Sequence, residues 1–140
     1  MDKLATLEPD FRTIMETILA RTSAATSLKW IAVSCRRTMA EQEAIYAQGR
    51  TAPGRKVSNA PPGSSPHNFG LACDCDPLNG HGEIWWSAPA GYWEAYGATC
   101  EAAGMTWGGM FKTITDLPHC EHPRWKEQQA AWRQGTLNVA

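Results

Sequence analysis

Two pairs of histidine and aspartate stand well apart along the chain. His67 ends a stretch rich in proline and glycine, and Asp74 follows seven residues later in a segment with strand character. Asp116 and His119 form the second pair, joined through Pro118, whose ring fixes φ and stiffens the link. Two neutral imidazoles and one carboxylate can fill three corners of a zinc tetrahedron and leave the fourth for water. A nearby carboxylate must then take a proton from that water, and Asp116 is the candidate; its alternative role is to orient a ligand histidine.

Other acids and histidines compete for these roles. Glu121 is the main rival acid, because it stands two residues after His119 and would share its face in a strand. Asp76 likewise stands two residues after Asp74 and would share its face in a strand. His122 could replace His119 as a ligand, but a strand would turn it to the opposite face. His81 lies in a turn-like stretch between glycines, and we expect it to be solvated.

Five cysteines are an odd number, so a fully paired disulfide framework within one chain is impossible. In a strand, Asp74 shares a face with Ala72, whereas Cys73 and Cys75 point the other way. That alternation argues against these two thiols as ligands beside Asp74. We expect the cysteines to be small buried apolar side chains, with a structural metal or a regulatory disulfide as the alternative.

The secondary-structure pattern mixes helices and strands without regular alternation, which favours an α+β fold. Thr38 followed by Glu41 has the form of a capping box at a helix start. The stretch 51–70 carries four prolines and three glycines, and a loop that long is usually functional. The pattern predicts helices over 7–24, 38–48, 89–103 and 123–134, strands over 28–34 and 71–75, and short extended segments over 105–110 and 113–121.

Length and composition bound the protein class. The chain has 140 residues, of which 43% are hydrophobic and 19% charged, which suits one compact domain over 1–140. Its net charge of −1 provides no strong field for nucleic acid. No apolar run approaches the ~20 residues that cross a bilayer, so we expect no membrane insertion. The first residues lack the pattern of a secretory signal, and we expect synthesis as a cytoplasmic protein.

A resemblance to a known family sharpens this hypothesis. The stretch 65–74 reads SPHNFGLACD, and its pattern Ser-x-His-x-x-Gly-x-Ala-x-Asp closely resembles the zinc signature of the M15 peptidases, the D-alanyl-D-alanine carboxypeptidase and dipeptidase group. Further segments resemble the L-alanyl-D-glutamate peptidase branch of that family: RTMAEQEAIYAQGRT over 37–51, PGRKVSNA over 53–60, WGG over 107–109 and DLPHCE over 116–121. The resemblance spans roughly residues 28–122.

The resemblance implies a fold and a metal site. It implies the M15 fold, a small single peptidase domain with an antiparallel sheet flanked by helices, and no separate domain that binds the cell wall. His67, Asp74 and His119 would hold one zinc ion per chain, and Asp116 would be the general base.

The resemblance also implies residues that contact the substrate. Arg37 would stabilise the developing oxyanion. The family usually has Gly-aromatic-Arg where this chain has Cys-Arg-Arg, so Arg36 competes for that role; Arg37 is preferred because it directly precedes the threonine. Ser65 resembles the family serine that helps to hold the substrate or the ligand loop, and we expect it to bind substrate. From their positions in the sequence we also expect Glu121 and Trp107 to bind substrate; the alternatives are support of a metal ligand for Glu121 and packing in the core for Trp107.

The implied function is that of a zinc peptidase that cleaves the L-alanyl-D-glutamate bond of peptidoglycan stem peptides. We expect a phage-type bacteriolytic endolysin that is monomeric, is made in the host cytoplasm and acts on the wall after release. The alternatives are a D-Ala-D-Ala carboxypeptidase or dipeptidase, and a noncatalytic binding domain stabilised by zinc.

Overall fold

A computed structural model describes residues 2–140. These residues fold into four α-helices and one four-stranded antiparallel sheet, which confirms the predicted α+β class. The helices are α1 (Pro9–Thr26), α2 (Met39–Ala47), α3 (Ala90–Ala102) and α4 (Trp125–Arg133), and the strands are β1 (Trp30–Ser34), β2 (Ala72–Pro77), β3 (Thr106–Trp107) and β4 (His119–Glu121). Short 3-10 helices cover Lys3–Thr6, Pro66–Phe69 and Gly108–Met110. None of the helices in this part of the chain combines the length and apolarity needed to cross a bilayer.

The strand order of the sheet is β1-β2-β4-β3. Asp74, on the inner strand β2, pairs with Ser34 of β1 on one side and with His119 of β4 on the other. Residues directly opposite each other in an antiparallel pair lie close together on the same face. The register therefore brings an aspartate and a histidine that are distant in sequence onto neighbouring positions.

Capping groups define where α1 and α2 begin. The Glu8 carboxylate accepts hydrogen bonds from the first free amides of α1, and Ser27 ends that helix in a left-handed conformation. Thr38 and Glu41 form the predicted capping box at the start of α2. These side chains satisfy amides that have no partner within the helix, so the local sequence fixes both starts to within two residues of the prediction.

The long loop between α2 and β2 is held by a buried glutamine. Gln42 is fully buried, and its amide donates to the Ala60 carbonyl oxygen at 2.8 Å and to Ser58 Oγ at 3.3 Å. A buried side-chain amide needs such hydrogen-bond partners, because an unpaired donor or acceptor in the interior costs free energy. The loop is thereby fixed to the helix that borders the candidate site.

The core lies between the sheet and the helices α1 and α3. Trp30, Trp93 and Tyr96 pack together, with the rings of Trp30 and Tyr96 stacked at 5.1 Å between centroids. All five cysteines are buried in this core, as predicted. The Tyr96 hydroxyl donates to the Pro118 carbonyl oxygen at 2.8 Å, so the core also anchors the segment that leads into β4.

The predicted extended segments before β4 are mostly wrong. Residues 113–118 form turns and bends, and the strand begins only at His119. The structure also turns into a 3-10 helix after Trp107. The reason is a close backbone approach: a Cβ on Gly108 would lie 2.2 Å from the Asp116 carbonyl oxygen, so this glycine lets the two segments fold onto each other.

Two glycines of α3 give a paired test of the packing. A Cβ on Gly97 would lie 2.2 Å from the Trp107 ring, whereas a Cβ on Gly91 would meet no atom within 4 Å. We expect Gly97→Ala to lower the free energy of unfolding by about 1–3 kcal/mol, the usual cost of overpacking. Gly91→Ala should raise it by up to about 1 kcal/mol, because alanine favours a helix. Urea unfolding measures both, and equal effects from the two variants would contradict this packing.

Candidate active site

Three predicted metal ligands converge on the sheet. One ligand atom from each of His67, Asp74 and His119 lies within 4.8 Å of the other two. His67 Nε2 is 3.4 Å from one Asp74 oxygen, and His119 Nδ1 is 3.1 Å from the other. The structure thus brings together the two imidazoles and the carboxylate that were predicted as one ligand set.

His67 is oriented by the chain around it. It lies in the short 3-10 helix Pro66–Phe69, where the Ser65 hydroxyl accepts from the His67 amide. The ring atom Nδ1 is 2.6 Å from the Cys35 carbonyl oxygen. A carbonyl can only accept, so Nδ1 donates to it, and Nε2 is the ring atom that faces Asp74.

His119 is oriented by an acid behind its ring. Its Nε2 is 2.7 Å from one Glu121 oxygen, while the other Glu121 oxygen accepts from the Trp125 indole at 2.9 Å. Glu121 therefore fixes the ring so that Nδ1 faces Asp74. Both Glu121 oxygens are used within the fold, and Glu121 does not border the site's cleft, so its predicted contact with substrate stays a prediction.

The electrostatics favour a cation at this place. Burial alone lowers the pKa of His119, but hydrogen bonds to Asp74 and Glu121 outweigh burial and raise it to about 10. Burial alone raises the pKa of Asp74, but hydrogen bonds from both histidines bring it well below its usual range. In the metal-free protein a proton on His119 thus compensates the two carboxylates, and a divalent cation between the ligand atoms would replace it. The residues present therefore fit a metal with nitrogen and oxygen ligands.

Asp116 lies beside the three ligands without joining them. Its Oδ2 is 3.9 Å from His119 Nδ1, and its side chain is 48% exposed. Its amide donates to the Gly108 carbonyl oxygen, and its own carbonyl accepts from the His119 amide. Burial raises the pKa of Asp116, and the charge of Asp74 raises it further. A carboxylate next to the ligands but open to the cleft is suited to accept a proton there.

Arg37 and Arg36 are separated by the structure. The Arg37 guanidinium donates to Gln42 Oε1 at 2.9 Å, and its amide donates to the His67 carbonyl oxygen. Arg36 turns away, and its guanidinium donates to the Thr6 carbonyl oxygen at 2.8 Å. Of the two, Arg37 is the one that borders the site's cleft.

The cleft at the site has a volume of about 360 Å³. Arg37, Asp116 and the three ligands border it together with Ser65, and Ile45, Val57 and Ser58 complete its wall. Ser65 is only 6% exposed and caps the 3-10 helix, so its predicted contact with substrate stays a prediction.

Trp107 and two histidines lie outside this site. The Trp107 ring is buried against Gly97, and its indole donates to the Leu117 carbonyl oxygen at 2.8 Å, as the core-packing alternative predicts. Its contact with substrate stays a prediction. His122 turns away from the ligands and packs edge-on against Phe11, which excludes it as a ligand. His81 is exposed in a turn, as expected.

A buried carboxylate that sequence reasoning left unassigned lies next to the site. Asp76 is fully buried, and neither of its oxygens has a hydrogen-bond partner among residues 2–140. Burial, followed by the charges of Asp74 and Asp116, raises its pKa to about 6. Its position two residues after Asp74 was the available signal, since it places both acids on one strand face.

Replacing Asp76 with asparagine should stabilise the metal-free protein in a pH-dependent way. The pKa of Asp76 is about 6 in the folded chain against an ordinary value of 3.8, so folding disfavours its charged form. The contribution of Asp76 to stability is therefore most favourable below pH 4, falls between pH 4 and 6 and is constant above. We expect Asp76→Asn to raise the free energy of unfolding by about 1–3 kcal/mol at pH 8 and by little at pH 4. Urea unfolding at the two pH values measures this, and a loss of stability at pH 8 would contradict it.

Removing the acid behind His119 should weaken metal binding. We expect Glu121→Ala to lower the affinity for a divalent transition metal about 10- to 100-fold, because the ligand ring loses its orienting partner. Competition with a chromogenic chelator measures the affinity. Glu101→Ala, at an exposed position of α3, is the matched control and should bind as the parent does. An unchanged affinity in Glu121→Ala would show that this hydrogen bond does not support the site.

Comparison with known proteins identifies relatives. A family model described as D-alanyl-D-alanine carboxypeptidase, of the M15 peptidases, matches residues 58–122. The chain is 35% identical over 92 residues to the peptidoglycan L-alanyl-D-glutamate endopeptidase CwlK of Bacillus subtilis, an alignment that covers 61% of this chain and 55% of that protein. The chain therefore spans about half the length of this curated relative.

Solved structures share the fold. The L-Ala D-Glu endopeptidase ChiX of Serratia marcescens aligns with a TM-score of 0.60 at 20% identity, covering 96% of this chain and 88% of that one. The D,D-pentapeptidase VanY, solved as a variant with Zn(II), aligns with a TM-score of 0.58 at 16% identity, covering 92% and 79%. The M15 fold is thereby confirmed, and the predicted resemblance to the M15 peptidase family is confirmed for the region that contains all three candidate ligands.

Proposed function

We propose that this chain is a zinc-dependent peptidase that hydrolyses the L-alanyl-D-glutamate bond of peptidoglycan stem peptides. The observation that carries the proposal is the convergence of His67, Asp74 and His119 beside one cleft that Asp116 and Arg37 also border. The names of CwlK and ChiX, both L-alanyl-D-glutamate endopeptidases, support this bond as the target.

Zinc suits the donor set. Two imidazole nitrogens and one carboxylate oxygen are typical of catalytic zinc sites, which keep one coordination position open. When bound, zinc would supply Lewis acidity that polarises the scissile carbonyl and makes water acidic. Thiol ligands would favour a closed structural site, but the thiols on β2, Cys73 and Cys75, lie on the opposite face of the strand from Asp74.

Asp116 would move the proton in the reaction. It borders the cleft, and its oxygen is within 4 Å of a ligand nitrogen, so an attacking water held between them can donate to it. Asp116 would take that proton as the water attacks the amide carbon and then pass it to the leaving amine. The raised pKa of Asp116 suits this exchange, because a carboxylate with a higher pKa holds the proton better before delivering it.

Arg37 would stabilise the charge that develops on the carbonyl oxygen. Its guanidinium is held by Gln42, which also fixes the loop around Ala60, so the donor is positioned before substrate binds. A preorganised donor of this kind is worth roughly 3–4 kcal/mol of transition-state stabilisation. Attack by water requires no covalent intermediate on the enzyme, so hydrolysis needs no cysteine as a nucleophile.

A second candidate function is cleavage of a D-Ala-D-Ala terminus. The matching family model carries the description D-alanyl-D-alanine carboxypeptidase, and this observation favours it. The same residues would perform the same chemistry there, and only the recognised peptide would differ. The wider proposal, a monomeric phage-type endolysin made in the cytoplasm and acting on the wall after release, requires a lysis assay on cells.

Digestion of purified peptidoglycan with product identification by mass tests the function. We expect fragments with a new N-terminal D-glutamate, and we expect none after removal of the metal by a chelator. Asp116→Asn should retain zinc and lose about 10²- to 10⁴-fold in turnover, because it removes the proton acceptor. Asp10→Asn, an exposed change in α1, is the control and should cleave normally.

The products decide between the candidates. Released D-alanine without new D-glutamate termini would replace the leading function with the second candidate. Normal turnover by Asp116→Asn would remove Asp116 from the mechanism, and a zinc-loaded parent that cleaves neither bond would favour a noncatalytic binding domain.

A further inference from the structure

Three cysteine side chains lie side by side next to the candidate site. The sulfurs of Cys35 and Cys73 are 3.0 Å apart, and the sulfurs of Cys73 and Cys75 are 3.7 Å apart. All three residues are buried. Within residues 2–140 the group that could hold a cation consists of the two histidines and Asp74, so these thiols have no assigned role.

The pairing of β1 with β2 explains why two of the thiols meet. The register shifts by one residue at Val33, so that Ser34 lies opposite Asp74. Continuing this antiparallel register places Cys35 opposite Cys73. Directly opposite residues have Cα atoms about 4.5–5.5 Å apart, which falls within the range that a disulfide can span. Joining the two sulfurs requires them to approach by only about 1 Å.

Cys35 is the less completely buried of the two paired residues, with 3% of its surface exposed. Cys35 borders a second cleft, of about 540 Å³, whose wall also includes Lys3, Arg36 and Arg37. Cys73 is fully buried behind it. Of the two residues, Cys35 therefore lies nearer to a reagent that enters this basic cleft, and Cys73 lies behind it.

We propose that Cys35 and Cys73 are a thiol pair that forms a disulfide when the folded protein meets a small disulfide such as glutathione disulfide. The Cys35 thiolate attacks one sulfur of the reagent, forms a mixed disulfide and releases one glutathione thiolate. The Cys73 thiol then attacks the Cys35 sulfur and forms the disulfide, and its proton passes to the second glutathione, which leaves as a thiol. Two protein thiols are oxidised, one glutathione disulfide is reduced to two thiols, and no other reactant is needed.

The bridge would tie together backbone that carries the site. The Cys35 carbonyl orients His67, Arg37 follows two residues later, and Cys73 directly precedes Asp74. A disulfide here would hold these segments together after the protein leaves a reducing compartment. That setting rests on the proposed function, whereas formation of the bridge does not.

Mass mapping of the oxidised protein tests the inference. The native, metal-free chain is incubated with glutathione disulfide, its remaining thiols are alkylated, and it is digested with trypsin and a Glu-specific protease at low pH. We expect a mass loss of about 2 Da for the bridge and one linked product joining peptide 30–36 to peptide 57–83. Fragmentation of that product should place the link on Cys73. Oxidation in concentrated urea is the control and should give a mixture of links.

Variants sharpen the assignment. Cys75→Ala should keep the link to peptide 30–36, and Cys73→Ala should lose it. The inference is overturned if the native chain gives no such link, if fragmentation places it on Cys75, or if another pair of cysteines is linked instead. The same mixture of links in native and urea-treated samples would also overturn it. Because the readout is mass rather than hydrolysis, it is independent of whether the chain cleaves peptidoglycan.

Discussion

The candidate site is organised by negative charge that is concentrated around one imidazole. His119 lies between Asp74 and Glu121, which are both withdrawn from solvent, and this arrangement requires a positive charge at its centre. In the absence of metal, a proton on the ring satisfies that requirement, as its raised pKa indicates. A divalent cation satisfies it better, since it can also bind His67 and the open cleft can provide a further ligand. The proposed metal-dependent function follows from this need for a positive charge at the centre of the site.

The register of the strands brings these charged groups together. Asp74 and His119 are paired residues of β2 and β4, and His67 is presented by the short helix that leads into β2. The backs of both rings are held by groups that accept a hydrogen bond, a carbonyl for His67 and a carboxylate for His119. Each ring thus has its other nitrogen directed toward Asp74 before a metal binds, which reduces the cost of assembling the site.

Local sequence predicted the ligands better than their surroundings. The spacing of His67 and Asp74 and the resemblance around them were sufficient to name the ligand set. The same strand periodicity placed Glu121 on the correct face, but its partner Trp125 comes from α4, and no local pattern indicates that contact. A tryptophan in sequence is compatible with a substrate groove and with a core; the packing of Trp107 in the core depends on the missing Cβ of Gly97, which lies on a different element.

X-ray absorption at the zinc edge identifies the atoms that bind the metal, and it therefore tests directly whether the two histidines and the aspartate hold it. The zinc-loaded protein should show only nitrogen and oxygen neighbours at about 2.0–2.2 Å, including the multiple-scattering pattern of two imidazoles. Substitution of either histidine should remove one imidazole contribution. A sulfur neighbour at about 2.3 Å would instead place the metal among the cysteines and contradict this account.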